Sequence, residues 1–151
     1  MDVIADIPAT SIAYVDETGI DNYLHREYGW AQRGKALLGS INGRKYKRTG
    51  IVAAQMGKSI VAPLIYDGTM DSILFEAWFE SCLLPALPQN AAIVMDNASF
   101  HRKKKLIPLA EKTGHRLIFL PPYSPELNPI EHFWSWIKRF LKKTYNHISR
   151  L

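Results

Sequence analysis

A proline-rich stretch near the C-terminal end of the chain constrains the fold more than any other segment. Residues 121–134 read PPYSPELNPIEHFW, with prolines at 121, 122, 125 and 129. Each proline fixes φ and biases the residue before it toward extended geometry, so we predict an ordered loop. Asn128 and Pro129 then match the N-cap and the first position of a helix. The stretch therefore predicts a rigid loop that leads into a helix at a fixed place.

Glu131 lies in the first turn of that predicted helix and has two interpretations. It could form a capping box by accepting a hydrogen bond from the backbone N–H of Asn128, or it could be a metal ligand. Apolar residues follow at helical spacing, and Glu131 lies at the edge of their stripe: Ile130, Phe133, Trp134, Ile137, Phe140 and Leu141. We assign Trp134 and Trp136 to core packing. Both interpretations of Glu131 stay open at this point.

Length and composition favour a single domain over residues 1–151. The chain has 151 residues, 47% of them apolar, which is enough for one compact core. It contains no apolar run of membrane-spanning length, and its first residues lack a secretory signal, so we expect a cytoplasmic, nucleoid-associated protein. The single cysteine, Cys82, is expected in the core.

Periodicity and turn signals predict the remaining elements. Strands are predicted at 11–15, 36–40, 46–55, 59–66, 91–95 and 115–120, and helices at 70–84, 103–112 and from 129 onward. Thr69 or Asp71 would cap the first helix and Pro85 would stop it, whereas Pro108 predicts a break or a start inside the second. Strands followed by β-α-β units predict an α/β fold, with a mixed sheet of about five strands flanked by helices.

Three acids lie at the ends of predicted elements. Asp16 follows the first strand, Asp96 follows the central strand, and Glu131 begins the last helix. Ligands of open α/β sheets gather at the carboxyl ends of strands, and clustered carboxylates suit Mg²⁺ or Mn²⁺. Two such ions would promote cleavage of a phosphodiester. Alternatively, Asp16 could cap a turn, and Asp96 with Asn97 could form a turn pair.

Basic residues concentrate in two blocks. Residues 32–60 carry seven Lys or Arg and no acid, and residues 101–151 carry eleven bases and three acids. Such density predicts a polyanionic partner, although each block alone could be a solvated face. The candidate substrate-binding bases are Arg44, Lys45, Lys47, Arg48, Arg102, Lys103 and Lys104.

Three motifs together resemble a known family. Val15–Gly19 reads VDETG, Met95–His101 reads MDNASFH, and Leu120–Trp134 contains the proline-rich stretch. In this order they resemble the catalytic core of bacterial insertion-sequence transposases of the mariner superfamily, which are DDE enzymes. The 34 residues between Asp96 and Glu131 match the interval that the resemblance leads one to expect. The resemblance implies an RNase H-like fold, with Asp16 and Asp96 on adjacent central strands.

The same resemblance implies chemistry and partners. Asp16, Asp96 and Glu131 would be the catalytic and metal-binding residues, holding two Mg²⁺ or Mn²⁺ ions. The reaction would be hydrolysis at the ends of a mobile element, followed by attack of the freed 3′-hydroxyl on target DNA by a homodimer. Asn97 and His101 would contact substrate phosphate, or His101 would orient an acid or serve only the fold.

The chain departs from the family pattern at its start. Such transposases carry helix-turn-helix DNA-binding units before the catalytic core, and here the first predicted strand begins about a dozen residues after Met1. We therefore expect a separate DNA-binding chain, or a truncated copy. The alternatives are a structure-selective or RNA–DNA hybrid nuclease on the same scaffold, and a non-catalytic DNA-binding or dimerisation module that regulates the full-length transposase.

Overall fold

A computed structural model of the protein describes residues 6–20, 49–122 and 124–148. The predicted strand at 36–40 and the basic residues Arg44, Lys45, Lys47 and Arg48 lie outside these ranges. The strands are β1 (Ile12–Ile20), β2 (Thr49–Met56), β3 (Ser59–Asp67), β4 (Ala92–Met95) and β5 (Arg116–Phe119). The helices are α1 (Ser72–Trp78), α2 (Lys103–Lys112) and α3 (Ile130–Ile148). Helix α1 continues through a π-helical segment, Phe79–Leu83, and a last turn, Leu84–Ala86.

The five described strands form one mixed sheet in the order β3-β2-β1-β4-β5. β1 pairs antiparallel with β2 and parallel with β4, and β5 extends the parallel part. A two-residue turn at Gly57 and Lys58 joins β2 to β3, as the sequence predicted, and Gly57 has a φ of +58°. The predicted mixed sheet flanked by helices is confirmed.

Strand β1 is longer than predicted, and this corrects the interpretation of Asp16. The strand was expected to end at Val15, but it continues to Ile20 because residues 14–20 pair with residues 49–55 of β2. Asp16 lies opposite Ala53 inside this ladder. It is therefore a strand residue, and the turn-capping interpretation is wrong.

The two faces of the sheet bury different helices. Ala13 and Val15 of β1 pack with Ile93 and Met95 of β4 in a large core beneath α1 and α2, which also contains Phe75. The opposite face carries Ile51 and Ala53 of β2 against Ile130 and Trp134 of α3. Since side chains alternate along a strand, consecutive residues of β1 point to different helices.

Helices α1 and α2 match the predicted positions with two corrections. Asp71 is the cap of α1, and its Oδ1 accepts a hydrogen bond from the Leu74 N–H at 2.7 Å. Pro85 lies inside the last helical turn rather than ending it. Pro108 does not break α2, because Pro108 and Lys104 are both exposed and water can hydrate the carbonyl that the proline leaves without an N–H partner. Gly114 follows the helix with a φ of +81°.

Two residues expected in the core are exposed instead. Trp134 is buried as predicted, but Trp136 is 55% exposed because it lies on the side of α3 turned away from the sheet. It stacks on Phe133 and on Phe140, which is also exposed. Cys82 is exposed on the π-helical segment. Within the described ranges, no helix is both long enough and apolar enough to cross a membrane.

Candidate active site

Asp16 and Asp96 occupy equivalent places on neighbouring strands. The parallel pairing of β1 with β4 ends at Tyr14 opposite Val94, and each aspartate comes two residues later. Both line one cavity of about 510 Å³, next to the point where the pairing of β1 with β4 stops. The ladder therefore brings together two acids that are 80 positions apart in the sequence.

Glu131 completes the acidic wall of this cavity from the first turn of α3. Its carboxyl hydrogen-bonds with that of Asp16, which also accepts a hydrogen bond from the Trp134 indole N–H at 3.2 Å. Burial, the hydrogen bond with Glu131 and the nearby charge of Glu17 raise the pKa of Asp16 to about 8. Two adjacent carboxyls cannot both ionise cheaply, so at neutral pH and without a cation Asp16 holds a proton.

Asn128 and Glu131 do not form the capping box. The Asn128 backbone N–H donates to the carbonyl of Pro125 at 3.0 Å, and the Asn128 side-chain amide donates to the carbonyl of Val15 at 3.3 Å. The side chain therefore ties the proline-rich loop to β1 rather than capping α3, and its Oδ1 is buried without a partner. The helix begins at Ile130. This leaves the Glu131 carboxylate free to face Asp16.

The three carboxyls are chemically suited to a hard divalent cation, but they are not yet close enough together to bind one. Carboxylates suit Mg²⁺ or Mn²⁺, and the raised pKa of Asp16 is the response expected of acids gathered without a compensating charge. Among the described residues, no three acids, histidines or cysteines lie close enough together to hold a metal as they stand. Asp16 and Glu131 are in contact, whereas Asp96 lines the cavity with a side chain that is 53% exposed.

His101 lies behind Asp96 and is 4% exposed. Its Nδ1 is 2.9 Å from the Asp96 carbonyl oxygen and 3.1 Å from Asp96 Oδ1, and its Nε2 is 2.9 Å from Glu17 Oε1. Burial alone would lower the pKa of His101, but the hydrogen bonds with Asp96 and Glu17 outweigh it and raise the pKa to about 10. The hydrogen bond from His101 in turn lowers the pKa of Asp96. At neutral pH an imidazolium therefore lies between two carboxylates.

The other predicted substrate-binding residues divide between the cavity and the start of α2. Asn97 is exposed and lines the cavity. Arg102 forms a salt bridge with Glu76, and the Lys103 ammonium lies 4.7 Å from the centre of the Phe119 ring. Lys104 is exposed on the first turn of α2.

Sequence reasoning missed the roles of two residues beside the acids. These residues are Glu17, and Trp134 as a hydrogen-bond donor. Glu17 was visible only as the neighbour of Asp16, and alternation along β1 sends its side chain to the opposite face. Trp134 had a helical signal for burial, but nothing in the pattern shows that a buried indole N–H needs an acceptor. A search for buried aromatic donors beside predicted acids could have found it.

Comparison with known proteins places the chain in a family. A sequence profile described as DDE superfamily endonuclease matches residues 11–151. A protein of Sinorhizobium fredii (strain NBRC 101917 / NGR234), the uncharacterized protein y4pE/y4sA, is 38% identical over 65 residues, which cover 39% of this chain and 45% of that protein.

Solved structures of Mos1 transposase share the fold. The Mos1 strand transfer complex has a TM-score of 0.68 at 18% identity and covers 88% of this chain and 42% of that one. The Mos1 transposase catalytic domain with raltegravir and Mg has a TM-score of 0.65 at 16% identity and covers 93% of this chain and 65% of that one. A Mos1 mariner paired end complex with Mn, also with a TM-score of 0.65 at 16% identity, covers 93% and 45%.

These matches confirm the predicted RNase H-like fold and the resemblance on which it was based. The chain spans less than half the length of the Sinorhizobium relative and of the Mos1 chain in the strand transfer complex. The family profile covers nearly the whole chain. The chain belongs to the DDE superfamily endonucleases.

Proposed function

We propose that this chain is the catalytic domain of a metal-dependent DNA transposase, in which Asp16, Asp96 and Glu131 hold divalent cations. One observation carries the proposal. The carboxyls of Asp16 and Glu131 hydrogen-bond with each other in a cavity that Asp96 also lines, in a chain of the DDE endonuclease family. The Mos1 structures with Mg and with Mn support Mg²⁺ or Mn²⁺ as the cation.

Each acid would play a distinct part. Asp16 would release its proton when a cation replaces it, and the Trp134 N–H would keep one Asp16 oxygen oriented. Glu131 would approach from α3, whose start is fixed by the proline-rich loop and by the hydrogen bond from Asn128 to Val15. Asp96, held ionised by His101, would supply the third carboxylate.

Bound cations would supply the charge that activates a water or a 3′-hydroxyl and stabilises the leaving oxygen of a phosphodiester. The chain's own side chains need only bind and orient, since no nucleophilic residue is required. The expected sequence is hydrolysis at the ends of a mobile element, then strand transfer into target DNA. Two ions and a homodimer are expected by analogy with the family.

Charge at the start of α2 supports a DNA partner. The first turn of α2 contains three lysines and no acid: Lys103, Lys104 and Lys105. Backbone N–H groups give this end of a helix a partial positive charge, so three lysines there repel one another and the helix dipole. A phosphate backbone would relieve this repulsion. Asn97, exposed on the cavity wall, would contact the same strand.

Nicking of supercoiled plasmid DNA tests this function. We expect the chain to convert plasmid to the nicked form with Mn²⁺ or Mg²⁺, and EDTA to abolish the conversion. Asp96→Asn should lower the nicking rate to the EDTA level, because it removes one negative ligand while keeping the shape. Glu80→Gln, at an exposed acid outside the cavity, is the matched control and should behave as wild type.

Equal nicking by Asp96→Asn and wild type would contradict the proposal. Binding of plasmid without nicking, together with no Mn²⁺ binding, would instead favour the regulatory DNA-binding module. An RNA–DNA hybrid offered in parallel separates a hybrid nuclease from a transposase domain. Faster cleavage of the hybrid than of duplex DNA would favour the nuclease.

A further inference from the structure

The pairing between β1 and β4 stops before it reaches the two aspartates. Its last pair is Tyr14 with Val94, and β4 itself ends at Met95. Beyond this point the described backbone has no β-ladder to fix the distance between Asp16 and Asp96. A cation that needs ligands within a few tenths of an ångström cannot depend on a loose spacing. Some other contact must set it.

His101 supplies a contact across this gap. Its Nε2 is 2.9 Å from Glu17 Oε1 on β1, and its Nδ1 is 2.9 Å from the carbonyl oxygen of Asp96. The ring thus joins the residue after Asp16 to Asp96 itself. Glu17 points to the face opposite Asp16, so this link lies outside the 510 Å³ cavity. On its own side, Glu17 lines a second opening of about 320 Å³, which Asp16 and Asp96 also border.

The link is buried, and its imidazole ring packs against two aromatic rings. The His101 ring packs 4.3 Å from the centre of the Phe75 ring and 4.6 Å from that of Phe100. The His101 side chain is fully buried, and that of Glu17 is 11% exposed. A buried ring with both nitrogens occupied is poorly placed to bind a phosphate, so the observations favour an orienting role over the substrate contact.

We propose that Glu17 and His101 are positioning residues, and that the Glu17–His101–Asp96 bridge sets the spacing between Asp16 and Asp96 for cation binding. This inference rests on the proposed function, since it concerns the same acids. Glu17 acts through His101, whose Nε2 it contacts at 2.9 Å, and not as a ligand of the cation. Partners of this kind behind metal ligands commonly change metal affinity about 10- to 100-fold when they are removed.

Mn²⁺ titration of the folded chain without DNA tests the proposal by calorimetry. Glu17→Ala removes the acceptor of the His101 Nε2–H and should weaken Mn²⁺ binding about 10- to 100-fold. Glu17→Gln keeps an acceptor oxygen at the same reach and should bind within a few-fold of wild type. This rescue separates positioning from a merely structural role. Only a positioning role predicts that Mn²⁺ affinity depends on whether the side chain at position 17 can accept the hydrogen bond from His101.

Glu76→Ala is the matched control. It removes the carboxylate that pairs with Arg102, the residue next to His101, and it has no described contact with the three acids. Its Mn²⁺ affinity should equal that of wild type. Circular dichroism of each variant gives the folded fraction. If Glu17→Ala does not fold, Glu17→Asp replaces it. The aspartate side chain is one methylene shorter and reaches His101 less well, so the Glu17→Asp protein should bind Mn²⁺ more weakly than the Glu17→Gln protein.

The outcomes separate the two proposals. A wild-type chain that binds no Mn²⁺ overturns the proposed function and the inference together. A wild-type chain that binds Mn²⁺ while the folded Ala or Asp variant binds it equally well overturns the inference alone. Weaker DNA binding by the Glu17 variants in EDTA, with unchanged Mn²⁺ affinity, would also overturn it, because Glu17 would then orient His101 toward phosphate and not set the spacing of the acids.

Discussion

At the scale of single residues, Asp16 holds a proton at neutral pH, and a bound cation would displace that proton. The acid is 8% exposed, and its pKa rises to about 8 through burial and contact with Glu131. In the unfolded chain the same carboxyl would titrate near its ordinary pKa of 3.8. Between these values the folded state binds a proton that the unfolded state has lost.

This difference predicts the pH dependence of stability. In EDTA, the free energy of unfolding should fall as pH rises from about 4 to about 8, by up to about 1.4 kcal/mol per pH unit. The sign follows because a raised folded-state pKa stabilises the fold below the unfolded pKa, and this stabilisation is lost as pH rises through the folded pKa. Urea unfolding of wild type and Asp16→Asn at several pH values measures the effect.

Asp16→Asn isolates the contribution of Asp16, because the shifted pKa values of Asp96, His101 and His115 are common to both proteins. The difference in stability between variant and wild type should grow in favour of the variant as pH rises from 4 to 8. A difference that does not change with pH would contradict the raised pKa of Asp16.

The sequence singled out the three acids that line the cavity but not their partners. Asp96 follows an apolar run and Glu131 follows a proline-rich loop, and both signals are local. The contact between Glu17 and His101 joins residues 84 positions apart, and depends on which way each side chain points from its backbone. No local pattern contains that information.

At the scale of elements, α1 depends on its N-terminal cap. Asp71 Oδ1 accepts the Leu74 N–H at 2.7 Å, satisfying one of the N–H groups that a helix leaves free at its start. Asp71→Ala should lower the free energy of unfolding by about 1 kcal/mol. Asp71→Ser retains an acceptor and should lose much less. Equal losses for Ala and Ser, measured by urea unfolding, would contradict the cap.

Strands β2 and β3 meet at a glycine that an aromatic ring covers. Gly50 pairs with Tyr66, and a Cβ placed on Gly50 would overlap the end of the Tyr66 ring. Gly50→Ala should therefore destabilise the protein by about 1–3 kcal/mol. The same substitution in a Tyr66→Ala background should cost less, because the overlapping ring is gone. A double-mutant cycle in urea measures this, and additive costs would contradict the overlap.

Element positions were largely predictable, and element ends were not. Local signals located α2 and β4 to within a residue: β4 is an uninterrupted apolar run that ends before Asp96, and α2 is a basic segment closed by Gly114. The second half of β1, DETGI, has no such pattern and is a strand because β2 pairs with it. Asn128 has the sequence of an N-cap, but the buried carbonyl of Val15 takes its amide instead. In both places a contact distant in sequence overrides the local preference.

At the scale of the whole molecule, the cavity is lined by acids from widely separated parts of the sequence. Asp16 comes from the first strand, Asp96 from the centre and Glu131 from the last helix. A cation held by all three would tie these elements together only in the folded state. Binding should therefore raise the stability of the entire fold by mass action.

Thermal unfolding measures this coupling. At about 100 times its dissociation constant, Mn²⁺ should add about 2.7 kcal/mol, which corresponds to a rise in Tm of roughly 5 to 10 °C for a chain of this size. Asp96→Asn should show a much smaller rise, and Glu80→Gln should match wild type. A rise that is the same in Asp96→Asn would place the bound Mn²⁺ outside the cavity.

The most direct measurement is a crystal structure of the chain grown or soaked with Mn²⁺, with the ions located by anomalous scattering. We expect at least one Mn²⁺ in the cavity, bound by oxygens of Asp16, Asp96 and Glu131, with the Glu131 carboxyl separated from that of Asp16 by the ion. An empty cavity at saturating Mn²⁺, or an ion that leaves Asp96 or Glu131 unbound, would contradict a site made by these three acids.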